Sequence, residues 1–557
     1  MKSASGFVLA VSVIASLAAS GNAIAQIAVP AQSSHLPPAP VPDQAIPDVR
    51  IEPQKAAPDT GPAGPSVLVN SLHITGCSQF SESKLIAATG FTPGHLLNLS
   101  DLRRMAVKIT EYYNSRGFIV AQAYVPAQEI ADGVVTIAVV EGRYGRVTLQ
   151  NHSRLHSGVA QDILDGLDSG DLVEADPLDR RLLLLSDLPG VGVKATLSPG
   201  TDVGTSDLLV DVTPGASISG EVDVDNYGNP YTGAYQGGGT VNFNEPLGIG
   251  DVATIRLLTS GAGMQYGRAS YQLQWGDGTV GAAYAYFHYH LGDQFSVLDA
   301  SGWEQIASVF GSYPIIRSYD DNLRALIDVD HRIFQDSIGA TSTVTDKQTN
   351  VVTIGLAGDH SDSFGGGGWD AYSISTSFGD LDIETPLARA EDAATLGTNG
   401  AYGKLNFSAD RLQTVTGPFD VYALVRGQVA FKNLDISEKM ELGGAYAVRA
   451  YPEGEAYGDE GYIATVEGRV WLPKPVEWIP GRMQFIAFFD TGAVRFDEDP
   501  LPGVPNSATR SGAGIGLDWT SNNDFTARVS YAWIVGDQRA TSAPGSGQLW
   551  FEVVKFF

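Results

Sequence analysis

The stretch Phe525-Thr526-Ala527-Arg528-Val529-Ser530-Tyr531-Ala532-Trp533 alternates residue by residue. Successive side chains of a strand point to opposite faces. Phe525, Ala527, Val529, Tyr531 and Trp533 therefore share one face, and Thr526, Arg528, Ser530 and Ala532 the other. The same pattern recurs upstream. Gly267, Ala269, Tyr271, Leu273 and Trp275 oppose Arg268, Ser270, Gln272 and Gln274; Val466, Gly468, Val470 and Leu472 oppose Thr465, Glu467, Arg469 and Trp471. One apolar and one polar face suit a barrel with lipid outside and water inside. A soluble sandwich has the same period. Three features decide for the barrel: aromatic residues at the ends of many strands, an export signal, and a last strand ending in Phe557, read as the barrel's C-terminal signal. Segments of this kind lie near 217–226, 233–243, 251–259, 265–275, 279–290, 303–317, 322–334, 350–360, 369–378, 402–411, 420–431, 461–472, 483–490, 511–520, 525–535 and 548–557. They number about sixteen, an even count as bacterial barrels have, and a barrel of that size holds an aqueous channel. The expected fold is membrane all-β: a 16-stranded antiparallel transmembrane β-barrel over residues 216–557, preceded by two small α+β modules.

The N-terminal part differs in kind. Residues 1–25 read as a signal peptide: Lys2, the apolar stretch Phe7 to Ala19, and Ala23-Ile24-Ala25 as the cleavage site, so that Ala25 and Gln26 flank the cut. The apolar stretch is too short for a membrane helix, and no run of 18 apolar residues follows. Residues 26–65 are rich in Pro and read as an extended periplasmic linker or tail. Residues 66–142 and 143–215 each read strand, helix, helix, strand, strand. In the first, Ser81 starts a helix that Gly90 ends, and Leu102, Met105, Ile109 and Tyr113 mark the apolar stripe of a second starting near Ser100. Strands follow at roughly 118–125 and 134–140. In the second, Pro177 stands in the first position of a helix with Leu178, Leu182 and Leu185 on its buried face. Cys77 is the only cysteine and reads as a small buried hydrophobe. The net charge of −28 argues against nucleic-acid binding.

Several motifs resemble a known family. Gly117-Phe118, Pro126-Ala127-Gln128, Asp132-Gly133 and Val140-Glu141-Gly142 look like the end of a polypeptide-transport-associated (POTRA) module, and Leu188-Pro189-Gly190 with Pro199-Gly200 like a second. Asp225-Asn226-Tyr227-Gly228 resembles a first barrel hairpin, and Tyr313-Pro314 with Arg317 and Asn322 a further signature. Gly443-Gly444, Val448-Arg449-Ala450-Tyr451 and Gly458-Asp459 resemble a long loop that folds back into the lumen; Ala450 stands where the usual tetrapeptide has Gly. Phe488-Phe489-Asp490-Thr491-Gly492 resembles the Phe-x-Asp-x-Gly of an inner barrel strand. Together they resemble the two-partner secretion outer-membrane translocators, of the haemolysin and filamentous-haemagglutinin secretion type, within the POTRA-barrel superfamily. The resemblance implies that Arg449 anchors the loop on Asp490. A guanidinium fork and a carboxylate fit in two parallel bonds. Gly444, Val448, Tyr451, Gly458 and Asp459 are then the loop motif, and Phe488 and Gly492 the strand motif.

The function this implies is type V secretion. A periplasmic client with an N-terminal haemagglutinin-type secretion domain docks on the modules and threads the barrel to the cell surface. The expected setting is the outer membrane, with the modules in the periplasm; the other partners are outer-membrane lipid and the barrel-assembly machinery, and the protein is a monomer. Alternatives are an outer-membrane assembly or insertion factor of the same superfamily, a passive porin, and a barrel enzyme. No phosphate-binding G-x-x-x-x-G-K-[ST] loop and no G-x-S-x-G elbow appear. His288 and His290 share a strand face and read as lumen or rim histidines. No enzyme activity, cofactor or metal is expected. Relatives often carry an N-terminal plug helix; here the available segment is short and broken by proline, which puts pore closure on the loop around Arg449.

Overall fold

The computed structural model describes residues 47–51, 65–261, 263–473, 480–521, 524–541 and 545–557. The expected cleavage site at Ala25 and Gln26 lies outside them. The chain divides into two compact units, one of residues 44–216 with 247–250 and one carrying the strands from 217 onward.

Among the described residues the first unit holds two larger sheets and a short one, Val67–Val69 paired antiparallel with His95–Leu97. In one of the larger sheets, Ser71–Thr75 runs parallel to Val134–Val140, which pairs antiparallel with Gln122–Tyr124. Helices Glu82–Thr89 and Leu99–Asn114 cover it. The second helix starts one residue before Ser100 because Asn98 caps it: its side chain accepts from the Asp101 backbone N–H, and the Asp101 carboxylate accepts from that of Asn98. This reciprocal pair satisfies two donors that a helix start leaves open. Ser81 occupies the cap position of the first helix but its side chain makes no cap bond, and Gly90 ends it in the left-handed conformation. The expected strand at 118–125 shortens to Gln122–Tyr124. Cys77 is half-buried rather than buried, at the margin of the core.

The other larger sheet pairs Val191–Pro199 antiparallel with Thr205–Pro214, which runs parallel to Arg143–Asn151. Its core gathers Leu178, Leu182, Leu185, Val193, Leu197 and Val210. Pro177 is the third residue of its helix, not the first. It still sits in the first turn, where the missing N–H costs nothing. One feature departs from the linker reading of 26–65. Asp48–Ile51 forms a short strand parallel to Val191–Pro199 and covers that sheet edge. A bare edge offers unpaired backbone groups to other chains.

The second unit is a closed barrel of sixteen strands, each paired antiparallel to its neighbour. The expected segments all appear. Lipid and water sort each strand by face. On Asp321–Ile338, Ile327 and Val329 are exposed outward while Asp328, Asp330 and Arg332 are buried inward. Five consecutive strands, from Ala300–Arg317 to Gly400–Thr416, run for 16 to 20 residues, where about ten suffice to cross the hydrocarbon. They exceed the expected bounds because polar residues such as Gln335 and Asp346 continue the ladder past the apolar band, hydrogen-bonded to each other at 2.8 Å. A helix Pro386–Ala394 in one connection had no signal in the alternation. His288 and His290 share the outward face of Gly278–His290 with exposed Tyr284 and Tyr286, at the end of the strand rather than in the lumen. Among the described residues no cluster of His, Cys, Asp or Glu could hold a metal.

The barrel closes through Ile218–Asp225 and Gly547–Phe556, which share five register pairs. Phe557 extends this seam: its N–H donates to Gly220 O at 2.9 Å and its carbonyl accepts from Gly220 N at 3.0 Å. Asn226 ties the other end, donating to Leu549 O and accepting from Phe551 N. Deleting Phe557 removes two hydrogen bonds of about 1 kcal/mol each from a short ladder. A lower yield of assembled barrel is expected, read as loss of heat-modifiable gel migration.

Candidate functional site: the loop inside the barrel

Strands Phe419–Ala430 and Glu460–Trp471 are joined by the long segment 431–459. Its arms pair briefly, Met440 with Gly458 and Glu441 with Tyr457. At the tip, Tyr451 N–H donates to Val448 O at 3.1 Å and Val448 N–H to Leu442 O at 3.1 Å. Arg449 and Ala450 are thus the middle of a tight turn. Neither has positive φ, so the turn does not require glycine and Ala450 fits it. The tip is apolar around the arginine. Leu442, Val448, Ala450 and Tyr451 are buried against Ile463, Ile486 and Phe488 of the barrel wall.

Arg449 reaches the wall from this apolar seat. Its Nε donates to Asp490 Oδ2 at 2.8 Å and its Nη2 to Oδ1 at 2.7 Å, the parallel two-bond geometry. Its backbone N–H adds a third bond to Oδ2 at 3.2 Å. Nη1 lies 2.8 Å from Glu467 Oε1, and the guanidinium carbon stands 3.4 Å from the centre of the Phe488 ring. Thr465 Oγ1 donates to Asp490 Oδ1 at 2.9 Å. Asp490 is fully buried and Glu467 nearly so. One arginine therefore neutralises two buried carboxylates while stacked on an aromatic face, and each of these interactions gains from the lack of competing water.

The remaining motif residues complete the seat. Trp550 Nε1 donates to Arg449 O at 2.7 Å, and Tyr451 Oη to Gln538 O at 2.8 Å. Asp459 accepts from the backbone N–H of Leu434 and of Glu498 and pairs with Lys439 at 2.9 Å. Gly444 has positive φ, and a Cβ on Gly492 would meet Leu442 at 2.7 Å. The structure thus brings Arg449, Asp490, Phe488, Val448, Tyr451 and Gly492 together at the tip, and places Gly458 and Asp459 at the root of the loop.

Sequence reading missed Glu467, Thr465, Trp550 and Gly512. Glu467 and Thr465 lie on the inward face of an alternating strand, which was readable. That Thr465 stands opposite Asp490 and Glu467 opposite Phe488 depends on strand register. Gly512 pairs with Asp490 and leaves room for the loop: a Cβ there would lie 2.4 Å from the Ala450 Cβ. Gly512→Ala should therefore dislodge the tip at a cost of about 1–3 kcal/mol. Faster hydrogen exchange over 442–451 is the expected readout. Adding Ala450→Gly, which moves the methyl from loop to wall, should restore protection.

Comparisons with known proteins agree with the fold. A family model described as "Haemolysin secretion/activation protein ShlB/FhaC/HecB" matches residues 204–518, and one described as "POTRA domain, ShlB-type" matches 67–142. The heme/hemopexin transporter protein HuxB of Haemophilus influenzae (strain 86-028NP) is 29% identical over 471 residues, covering 83% of this chain and 82% of its own. The outer membrane transporter CdiB of Escherichia coli is 24% identical over 506 residues, covering 86% and 82%. Among solved structures, CdiB from Escherichia coli superposes with a TM-score of 0.69 at 20% identity, covering 90% of this chain and 93% of that one. BamA from Haemophilus ducreyi lacking POTRA domains 1–3 shares the fold at a TM-score of 0.54 and 13% identity, covering 88% and 100%.

Proposed function

The chain belongs to the haemolysin secretion/activation protein family ShlB/FhaC/HecB, whose members are outer-membrane barrel transporters of secreted client proteins, and from that membership we propose how this one moves its client. The match over the barrel carries the reading. The client arrives unfolded in the periplasm, and its haemagglutinin-type N-terminal domain docks on the modules at 66–142 and 143–215. Strand addition at a sheet edge binds through the backbone with little demand on sequence. Ser71–Thr75 and Arg143–Asn151 are edge strands, which supports this mode. An even strand count returns the barrel's first and last strand ends to one rim, and the modules lie in the periplasm. Outer-membrane lipid meets the outward apolar band, the assembly machinery reads the strand ending in Phe557, and the working unit is a monomer.

The lumen loop closes the pore at rest, with Arg449 on Asp490 as its anchor. The client passes when that loop yields, and the Arg449–Asp490 seat must re-form for the next passage, so export needs both states. The periplasm holds no ATP, so folding of the client outside supplies the driving force. The test is co-expression of a neighbouring exported reading frame's product with and without this chain. Release into the medium is expected only with the barrel present; equal release without it would end the proposal.

A further inference from the structure

The loop is held at a second place, with the charges reversed. Glu438 lies near the root of the loop and is buried. Arg332 Nη1 donates to its Oε1 at 2.8 Å, and Lys404 Nζ lies 2.8 Å from its Oε2. Lys404 also donates to the Glu438 backbone carbonyl at 2.9 Å, as does Gln428 at 3.0 Å. Three residues earlier, Asp435 takes Lys347 of the wall at 3.1 Å. At the tip the loop brings a cation to wall carboxylates; at the root it brings carboxylates to wall cations.

Arg332 spends its other edge on Asp330, through Nε at 3.1 Å and Nη2 at 2.5 Å. One carboxyl group beside this network accepts no hydrogen bond. Glu304 is 1% exposed, and neither of its carboxylate oxygens has a hydrogen-bond partner. Ile306 stands opposite Arg332 and Glu304 opposite Phe334. Glu304 and Arg332 are therefore diagonal neighbours on the same inward face, a spacing that long side chains bridge. A buried carboxylate without a partner is costly in the state observed, which asks for a second state that uses it.

We propose that Arg332 alternates between two carboxylates: Glu438 while the loop fills the lumen, and Glu304 when the loop withdraws for a passing polypeptide. Asp330 holds the Nε and Nη2 edge of Arg332 in both states; withdrawal of Glu438 would leave the buried Nη1 without an acceptor, and an unmade hydrogen bond of a buried charged donor is unfavourable. Glu304 lowers that barrier. Glu438 and Glu304 are positioning residues for the two ends of one movement, which deepens the reading of the loop as the pore's closure.

The test is single-channel recording of the full chain in planar bilayers of Escherichia coli polar lipid with KCl on both sides. Glu438→Gln is expected to raise the open fraction about tenfold, as one lost charge-assisted hydrogen bond would. Glu304→Gln should lower it, in the parent and in the Glu438→Gln background alike. Glu304→Asp decides between reach and relief of burial. It keeps the carboxyl group but draws it back from Arg332, so it should lower the open fraction as Gln does; behaviour like the parent overturns the assignment. An unchanged open fraction in Glu438→Gln or Glu304→Gln overturns it as well. Arg449→Ala run in parallel separates the readings. If it opens the pore and Glu438→Gln does not, the second clamp fails; if neither opens it, the loop is not the closure.

Discussion

Arg449→Ala is expected to abolish export while the barrel stays assembled. Asp490 is fully buried and would keep only Thr465 as a side-chain partner; Glu467 would keep Arg469 at 2.6 Å. Removing one partner of a buried pair costs about 3–5 kcal/mol. That corresponds to roughly 150- to 5,000-fold in the occupancy of the seated loop. The barrel itself does not depend on the pair. Arg482–Arg495, which carries Asp490, holds twelve register pairs with one neighbour and fourteen with the other. Client release should fall to background while heat-modifiable migration is unchanged. Arg449→Lys should rescue poorly, since a single ammonium cannot bridge both carboxylates and stack on Phe488. Normal release by the alanine variant would show that the pair has no role in secretion.

Glu141→Ala should unfold the first module. Glu141 is buried and accepts from Ser78 N at 2.6 Å, Ser78 Oγ at 2.5 Å, Gln79 N at 2.9 Å and Tyr113 Oη at 2.8 Å. It ties the turn after Ser71–Thr75 and the helix Leu99–Asn114 to the end of Val134–Val140. Alanine leaves two backbone donors and a buried phenol unpaired, about 3–9 kcal/mol at 1–3 kcal/mol per group. A module of this size holds roughly 4–11 kcal/mol in all. Burial pushes the Glu141 carboxyl up, but the bonds from Ser78, Gln79 and Tyr113 outweigh it and hold its pKa below the ordinary value. The stabilisation is therefore complete above the ordinary glutamate range and is lost as pH falls through the lowered folded value. Hydrogen exchange over 66–142 in the full chain should show fast exchange in the variant at pH 7. In the parent, protection should decline only as the pH drops into the acid range. Protection equal to the parent's in Glu141→Ala would exclude this role.

The alternation of Phe525 to Trp533 carried the barrel into view because lipid and water act on each strand residue singly. Sixteen strands, their faces, and the charges Arg449 and Asp490 were all legible in that way or through resemblance. The cap at Asn98 was also local, and was passed over only because Ser100 looked like the start. Other features had no local trace. The short strand Asp48–Ile51 pairs with residues about 145 positions later, and its own composition reads as linker. Glu467 beside Arg449, the space Gly512 leaves for Ala450, and Arg332 on Glu438, 106 residues apart, follow from register around the barrel. A one-residue slip in pairing would turn Glu467 and Arg332 to lipid. The sequence by itself determined which residues face water. Only the closed barrel decided which of those water-facing charges meet, because buried carboxylates and guanidinium groups persist only where the register sets them against each other.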